Sequence, residues 1–167
     1  MFDSCTDLVS APELPAVTLE EDCYYGMFYG CTSLINPPVL PAMVLAESCY
    51  EEMFGGCTSL TVAPELPATT LADMCYCEMF TDCKNLTEAP ELPATVLVSS
   101  CYDCMFDGCE ALTVIKVHFS DWDEIEDATL GWVDGVAAAG TFYYKTGLDV
   151  STKDSDHVPA GWNTESF

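Results

Sequence analysis

Residues 57–82 read CTSLTVAPELPATTLADMCYCEMFTD, and the same pattern recurs 26 residues to either side. Upstream stand CTDLVSAPELPAVTLEEDCYYGMFYG at 5–30 and CTSLINPPVLPAMVLAESCYEEMFGG at 31–56. Downstream stands CKNLTEAPELPATVLVSSCYDCMFDG at 83–108, and a fifth unit begins CEALTV before departing. Cys5, Cys31, Cys57, Cys83 and Cys109 keep the period, as do Cys23, Cys49, Cys75 and Cys101. Units of such a length cannot bury their apolar faces alone and must stack. Ordering each residue costs roughly 1–2 kcal/mol of backbone entropy, so a single excised unit is expected to be unfolded. The period therefore predicts a repeat solenoid of 26-residue coils over 1–115, followed by a small α+β capping segment over 116–167. Met1 and Phe2 occupy the Met-Phe position of a unit whose first part is absent, so the chain reads as the C-terminal part of a longer array.

Within each unit, Leu8, Leu34, Leu60, Leu86 and Leu112 open an extended segment that runs into SAPELP, NPPVLP, VAPELP or EAPELP. Two prolines forbid helix there and remove ladder donors, so strand pairing should peak before the first proline. AVTL, AMVL, ATTL and ATVL follow as a second, β-branched extended piece. The last third, such as LEEDCYYGMFYG, reads as a short helical turn, with Cys23 and Met27 on one face and Tyr24 and Phe28 on another. Glu20, Glu21 and Asp22 would complement its dipole, and Gly30, Gly56 and Gly108 would let the chain leave it. Each coil is thus expected to hold short parallel strands and one short helical turn.

The chain has 167 residues, 28 acidic and 4 basic side chains, a formal charge of -24 and a mean hydropathy of +0.19. Half its residues are apolar, unlike a disordered acidic tail. Four scattered lysines and no arginine exclude nucleic acid and anionic lipid as natural partners. No apolar run reaches the roughly 18 residues that a membrane helix needs, so no membrane insertion is expected.

The string MFxGCTSL followed by L-x-x-A-P-x-L-P resembles the BspA-like leucine-rich repeat family of bacterial surface proteins over residues 1 to about 115. Met-Phe-x-x-Cys at 27–31, 53–57, 79–83 and 105–109 stands where that family carries AF-x-x-C, on a shorter repeat. WVDGVAAAGTFYY at 132–144 and VPAGW at 158–162 resemble the segment that closes such arrays in Bacteroides-type proteins. The resemblance implies a leucine-rich-repeat horseshoe or rod, an extracellular or cell-surface location, and attachment to host or neighbouring-cell proteins or glycans. Physically, residues 132–139 form a candidate helix ended by Gly140, TFYYK is strand-like, and Trp122, Trp132 and Trp162 would cover the last coil rather than form the alternative, a sugar platform.

Most cysteines are read as buried thiols stacked in ladders, since proximity alone does not supply disulfide geometry. Cys77 and Cys104 break the pattern and are the best candidates for a disulfide pair. Cys101-x-x-Cys104 with Cys109 and His118 makes a weak zinc pattern, because Cys101 has counterparts in every unit without a second ligand. His118 and His157 are the available bases, and neither stands in a nucleophile motif. Asp121, Asp123, Glu124, Glu126 and Asp127 read as a solvated acidic connector or, less simply, a calcium site; Glu126 stands where an EF-hand loop needs glycine. Methionine and phenylalanine ladders are core, and the tyrosines at 24, 50, 76 and 102 divide between packing and ligand contact.

The function expected is non-enzymatic recognition or adhesion, without cofactor or metal, through an extended face. Ser10, Asn36, Val62 and Glu88 before the proline segment, with Glu13, Val39, Glu65 and Glu91 inside it, would carry specificity for a basic or cation-bridged partner. The alternative is a structural spacer of a surface stalk or phage tail fibre with no ligand of its own. An uncovered N-terminal coil would also permit end-to-end self-association.

Overall fold

The computed structural model describes residues 1–122 and 127–167. The expected leucine-rich-repeat solenoid of strand-and-helix coils, horseshoe or rod, with its α+β cap, is overturned. The described residues contain no helix, and their regular strands are three: β1 (Val114–Val117), β2 (Thr141–Tyr144) and β3 (Asn163–Ser166). They form one parallel sheet in the order β1-β2-β3, with Ile115 opposite Phe142 and Phe142 opposite Thr164. Inside the repeats only isolated bridges occur, including Ser10 to Asn36 and Glu88 to Val114 just ahead of the prolines, and Val44 to Thr70 after them.

Backbone geometry explains the missing helix. The amides of Cys23, Tyr25, Met27, Tyr29 and Cys31 donate to carbonyls three residues back at 3.0–3.3 Å. The amides between them, from Asp22, Tyr24, Gly26, Phe28 and Gly30, donate instead to Glu47, Cys49, Glu51, Met53 and Gly55 of the next unit at 2.7–3.1 Å. The chain is a run of overlapping turns, and every second donor is spent on the neighbour. Left-handed residues recur every fourth position, at Asp22 (φ 55), Gly26 (φ 52) and Gly30 (φ 66), whereas a helix needs φ near -63° throughout. Glu20, Glu21 and Asp22 consequently have no helix dipole to complement.

Equivalent residues of successive units lie beside one another. Phe28, Phe54, Phe80 and Phe106 are fully buried and stack at centroid separations of 5.6–5.8 Å. Next to them the thiols of Cys57, Cys83 and Cys109 donate to the carbonyls of Phe28, Phe54 and Phe80 at 3.1–3.2 Å. A cysteine is small and apolar enough for the core, and its S–H reaches a carbonyl 29 residues earlier in the chain. Leu34, Leu60, Leu86 and Leu112 complete the buried set.

The segment 127–135, DATLGWVDG, repeats the same turn geometry with an unrelated side-chain pattern. Asp127 (φ 79), Gly131 (φ 59) and Gly135 (φ 68) occupy the left-handed positions. Amides of Tyr102, Cys104, Phe106 and Gly108 donate to Ala128, Leu130, Trp132 and Asp134. Residues 132–139 therefore do not form the expected helix. Residues 155–162 close over this segment: Val133 N–H donates to Ser155 and Trp132 Nε1 to the His157 carbonyl, while Trp162 Nε1 donates to Ala137 at 2.7 Å. Trp132 and Trp162 are buried covering aromatics, and Trp122 packs edge-on against Phe119 at 5.2 Å. No described helix is long and apolar enough to cross a membrane.

Candidate functional site

The proline segments build one side of the stacked units. Leu14, Leu40, Leu66 and Leu92 point into the core, so the residue before each, Glu13, Val39, Glu65 or Glu91, points outward. The flanking prolines fix the extended backbone and leave no amide at those positions to pair with the next unit. The result is a ridged surface with shallow grooves between prolines.

Two grooves lie at equivalent positions. One, of about 520 Å³, is bounded by Pro12, Glu13 and Pro15 of one unit and Pro37, Pro38 and Val39 of the next. The other, of about 440 Å³, lies between Pro64, Glu65 and Pro67 on one side and Pro90, Glu91 and Pro93 on the other. A smaller depression of about 150 Å³ brings Val62 and Glu88 together. Val39 is 77% exposed and Val62 68%, large values for side chains with no role in packing. Ser10 and Asn36 lie outside these grooves and are committed to each other, Asn36 Nδ2 donating to Ser10 Oγ at 2.9 Å.

The acidic residues of the face are not equivalent. Glu91 Oε1 accepts from Lys116 Nζ at 2.8 Å and contacts His118 Nε2 at 2.5 Å. The hydrogen bonds from Lys116 and then His118 hold its carboxyl below the usual range. Lys116 also sits over the Phe167 ring, 4.8 Å from its centroid, and with Glu88, Val114 and Tyr143 these two line a further groove of about 340 Å³. Glu13 and Glu65 are exposed and make no ion pair among the described residues. Sequence reasoning missed this distinction, because Lys116 and His118 lie 25 and 27 residues beyond Glu91, in a segment assigned to the cap.

The remaining candidates resolve as follows. Tyr50, Tyr76 and Tyr102 are buried, with rings stacked at 5.9–6.0 Å, so the tyrosine ladder is packing and only Tyr24 is half-exposed at its end. Cys77 is buried and Cys104 half-buried, and both are free thiols. They stand one position out of register, the equivalent of Cys77 being Asp103. His118 faces Glu91, and His157 Nδ1 lies 2.8 Å from Asp154 Oδ1; each histidine is anchored by a carboxylate. Among the described residues no three His, Cys, Asp or Glu side chains group to hold a metal. The acidic run that suggested calcium falls largely outside the described residues, which omit 123–126. Compared with protein-family models, with curated proteins and with solved structures, the chain matches none.

Proposed function

We propose that this chain is a non-enzymatic recognition module that binds a protein or glycan through its proline-bearing face. One observation carries the reading: at equivalent positions, grooves of about 520 and 440 Å³ each place an exposed glutamate, Glu13 or Glu65, between prolines and in no ion pair among the described residues. Such a surface costs little entropy on binding, since proline segments are already ordered. Its charge favours a basic partner or a cation bridging two acidic ones, within an overall charge of -24. Attachment at a bacterial surface, to host or neighbouring-cell molecules, is the setting this reading supplies.

The spacer alternative draws on a different feature. From Phe2 through Phe28, Phe54, Phe80 and Phe106 to Trp132, the ring stack runs unbroken, which suits a stiff connecting element. Screening the purified chain against matrix-protein and glycan arrays separates the two. A hit lost on combined Glu13→Lys and Glu65→Lys substitution supports recognition by this face, and a hit indifferent to that change rejects it. Glu91 is a poor choice for such reversal, because changing it also releases Lys116 and His118.

A further inference from the structure

We infer that the proline-bearing face reads an extended basic peptide whose cationic residues recur every third position, running along the stacking direction across Glu13 and Glu65. This rests on the reading of that face as a recognition surface and names its ligand class. Spacing between the units selects the ligand. Ser10 pairs with Asn36 and Val44 with Thr70 as parallel bridges, so each of the two steps from Glu13 to Glu65 spans the inter-strand distance of about 4.8 Å. Glu13 and Glu65 belong to alternate units, with Val39 between them, which sets their backbone positions about 10 Å apart.

A polyproline II chain rises about 3.1 Å per residue and turns once in three, so side chains three apart share a face about 9.3 Å apart. That repeat matches the separation of the two glutamates within an ångström or so. A β-strand fails the same requirement, since residues three apart in it point to opposite sides. Between the two charges, the ligand passes over Val39, 77% exposed, which suits the alkyl stem of a lysine or a proline ring. Glu91 is already held by Lys116 at 2.8 Å, so the charge ladder stops at Glu65 on that side.

The probe is a pair of synthetic peptides of identical composition, one with lysines three residues apart in a proline background and one with the same lysines adjacent. Binding to the full chain is measured by calorimetry at physiological salt. The spaced peptide is expected to bind about fivefold more tightly, the increment that two exposed ion pairs supply together. Glu13→Gln combined with Glu65→Gln should erase that preference, while Glu20→Gln with Glu47→Gln, exposed elsewhere on the surface, should leave it intact. Equal affinities, no binding of either peptide, or a preference that survives the first double variant would each overturn the inference. If the peptides fail while an array ligand is still lost on Glu13→Lys and Glu65→Lys substitution, the recognition face stands and only this ligand class falls.

Discussion

The Phe106 ring meets the Trp132 indole at a centroid separation of 6.2 Å, and the Phe106 amide donates to the Trp132 carbonyl at 2.9 Å. Ring contact and backbone bond together place Trp132 where a next phenylalanine would stand. The larger indole also reaches Tyr102, Phe119 and Phe142, joining the tail to the stack.

Trp132→Ala should therefore cost about 3–5 kcal/mol, the range for removing a fully buried aromatic, and should lower the denaturation midpoint accordingly. Trp132→Phe keeps the stack and loses the indole bond to His157, so it should cost less than half as much. An alanine variant within about 1 kcal/mol of the parent would show that the tail does not seal the last unit.

Left-handed positions give a prediction with opposite signs at two sites that share one backbone conformation. Met74 holds φ 56 and Gly56 φ 70. A side chain pays roughly 1–2 kcal/mol to hold such a conformation. Gly56→Ala should destabilise by about that amount, since a Cβ there meets only ordinary contacts with Gly30 at 3.6 Å and the cost is conformational. Met74→Gly should raise stability, by up to about 1 kcal/mol once the greater freedom of glycine in the unfolded chain is subtracted. Equilibrium urea denaturation of both variants checks the pair; two changes of the same sign would refute the account.

Residue burial was legible in the sequence to a different degree from secondary structure. The recurring cysteine, phenylalanine and leucine positions follow from period alone, because equivalent residues of adjacent units meet equivalent surroundings. The turn wall did not, since Cys23, Met27 and Cys31 lie four apart and that spacing fits a helix face as well as a chain of overlapping turns. Gly26 and Gly30, also four apart, were the discriminating signal, and Gly131 and Gly135 repeat it in the tail without any of the cysteines or tyrosines. At the candidate site, the outward glutamates were legible from their place between prolines, while the pairing of Glu91 depends on a register between distant segments that the repeat does not encode.

Thiol reactivity should divide sharply along the chain. Burial pushes Cys49, Cys57 and Cys109 up to about 12 and Cys101 to about 11, so almost no thiolate is present at pH 8. Cys5 and Cys23 are exposed because no unit lies beyond them in the structure. Iodoacetamide followed by peptide mass mapping should label these two first, with the buried set protected until denaturant is added. Early modification of Cys57 or Cys83 in the folded protein would contradict the packed thiol ladder.

Acid should stabilise this protein before it destabilises it. Burial, then neighbouring carboxylates, raise Glu51, Glu78, Asp103 and Asp107 above their ordinary values. Asp103 Oδ1 is buried without a hydrogen-bond partner among the described residues, which sharpens the penalty on its charge. A carboxyl raised in the folded state binds its proton more tightly there than in the unfolded chain. Its destabilising charge is fully present above the folded value and relieved as pH falls toward the unfolded value of about 4. Glu91, held low by Lys116 and His118, and Asp149, held low by the Ser151 amide, act oppositely: their contribution is present above the unfolded value and lost as pH falls below about 4. Thermal unfolding should thus show Tm rising from pH 7 toward a maximum between about pH 4 and 5, then falling. Added salt should raise Tm at pH 7 and do less at the maximum, because screening then has fewer charges to act on. Asp103→Asn should raise Tm at pH 7 and flatten the rise; a variant whose pH profile runs parallel to the parent would remove Asp103 from the account.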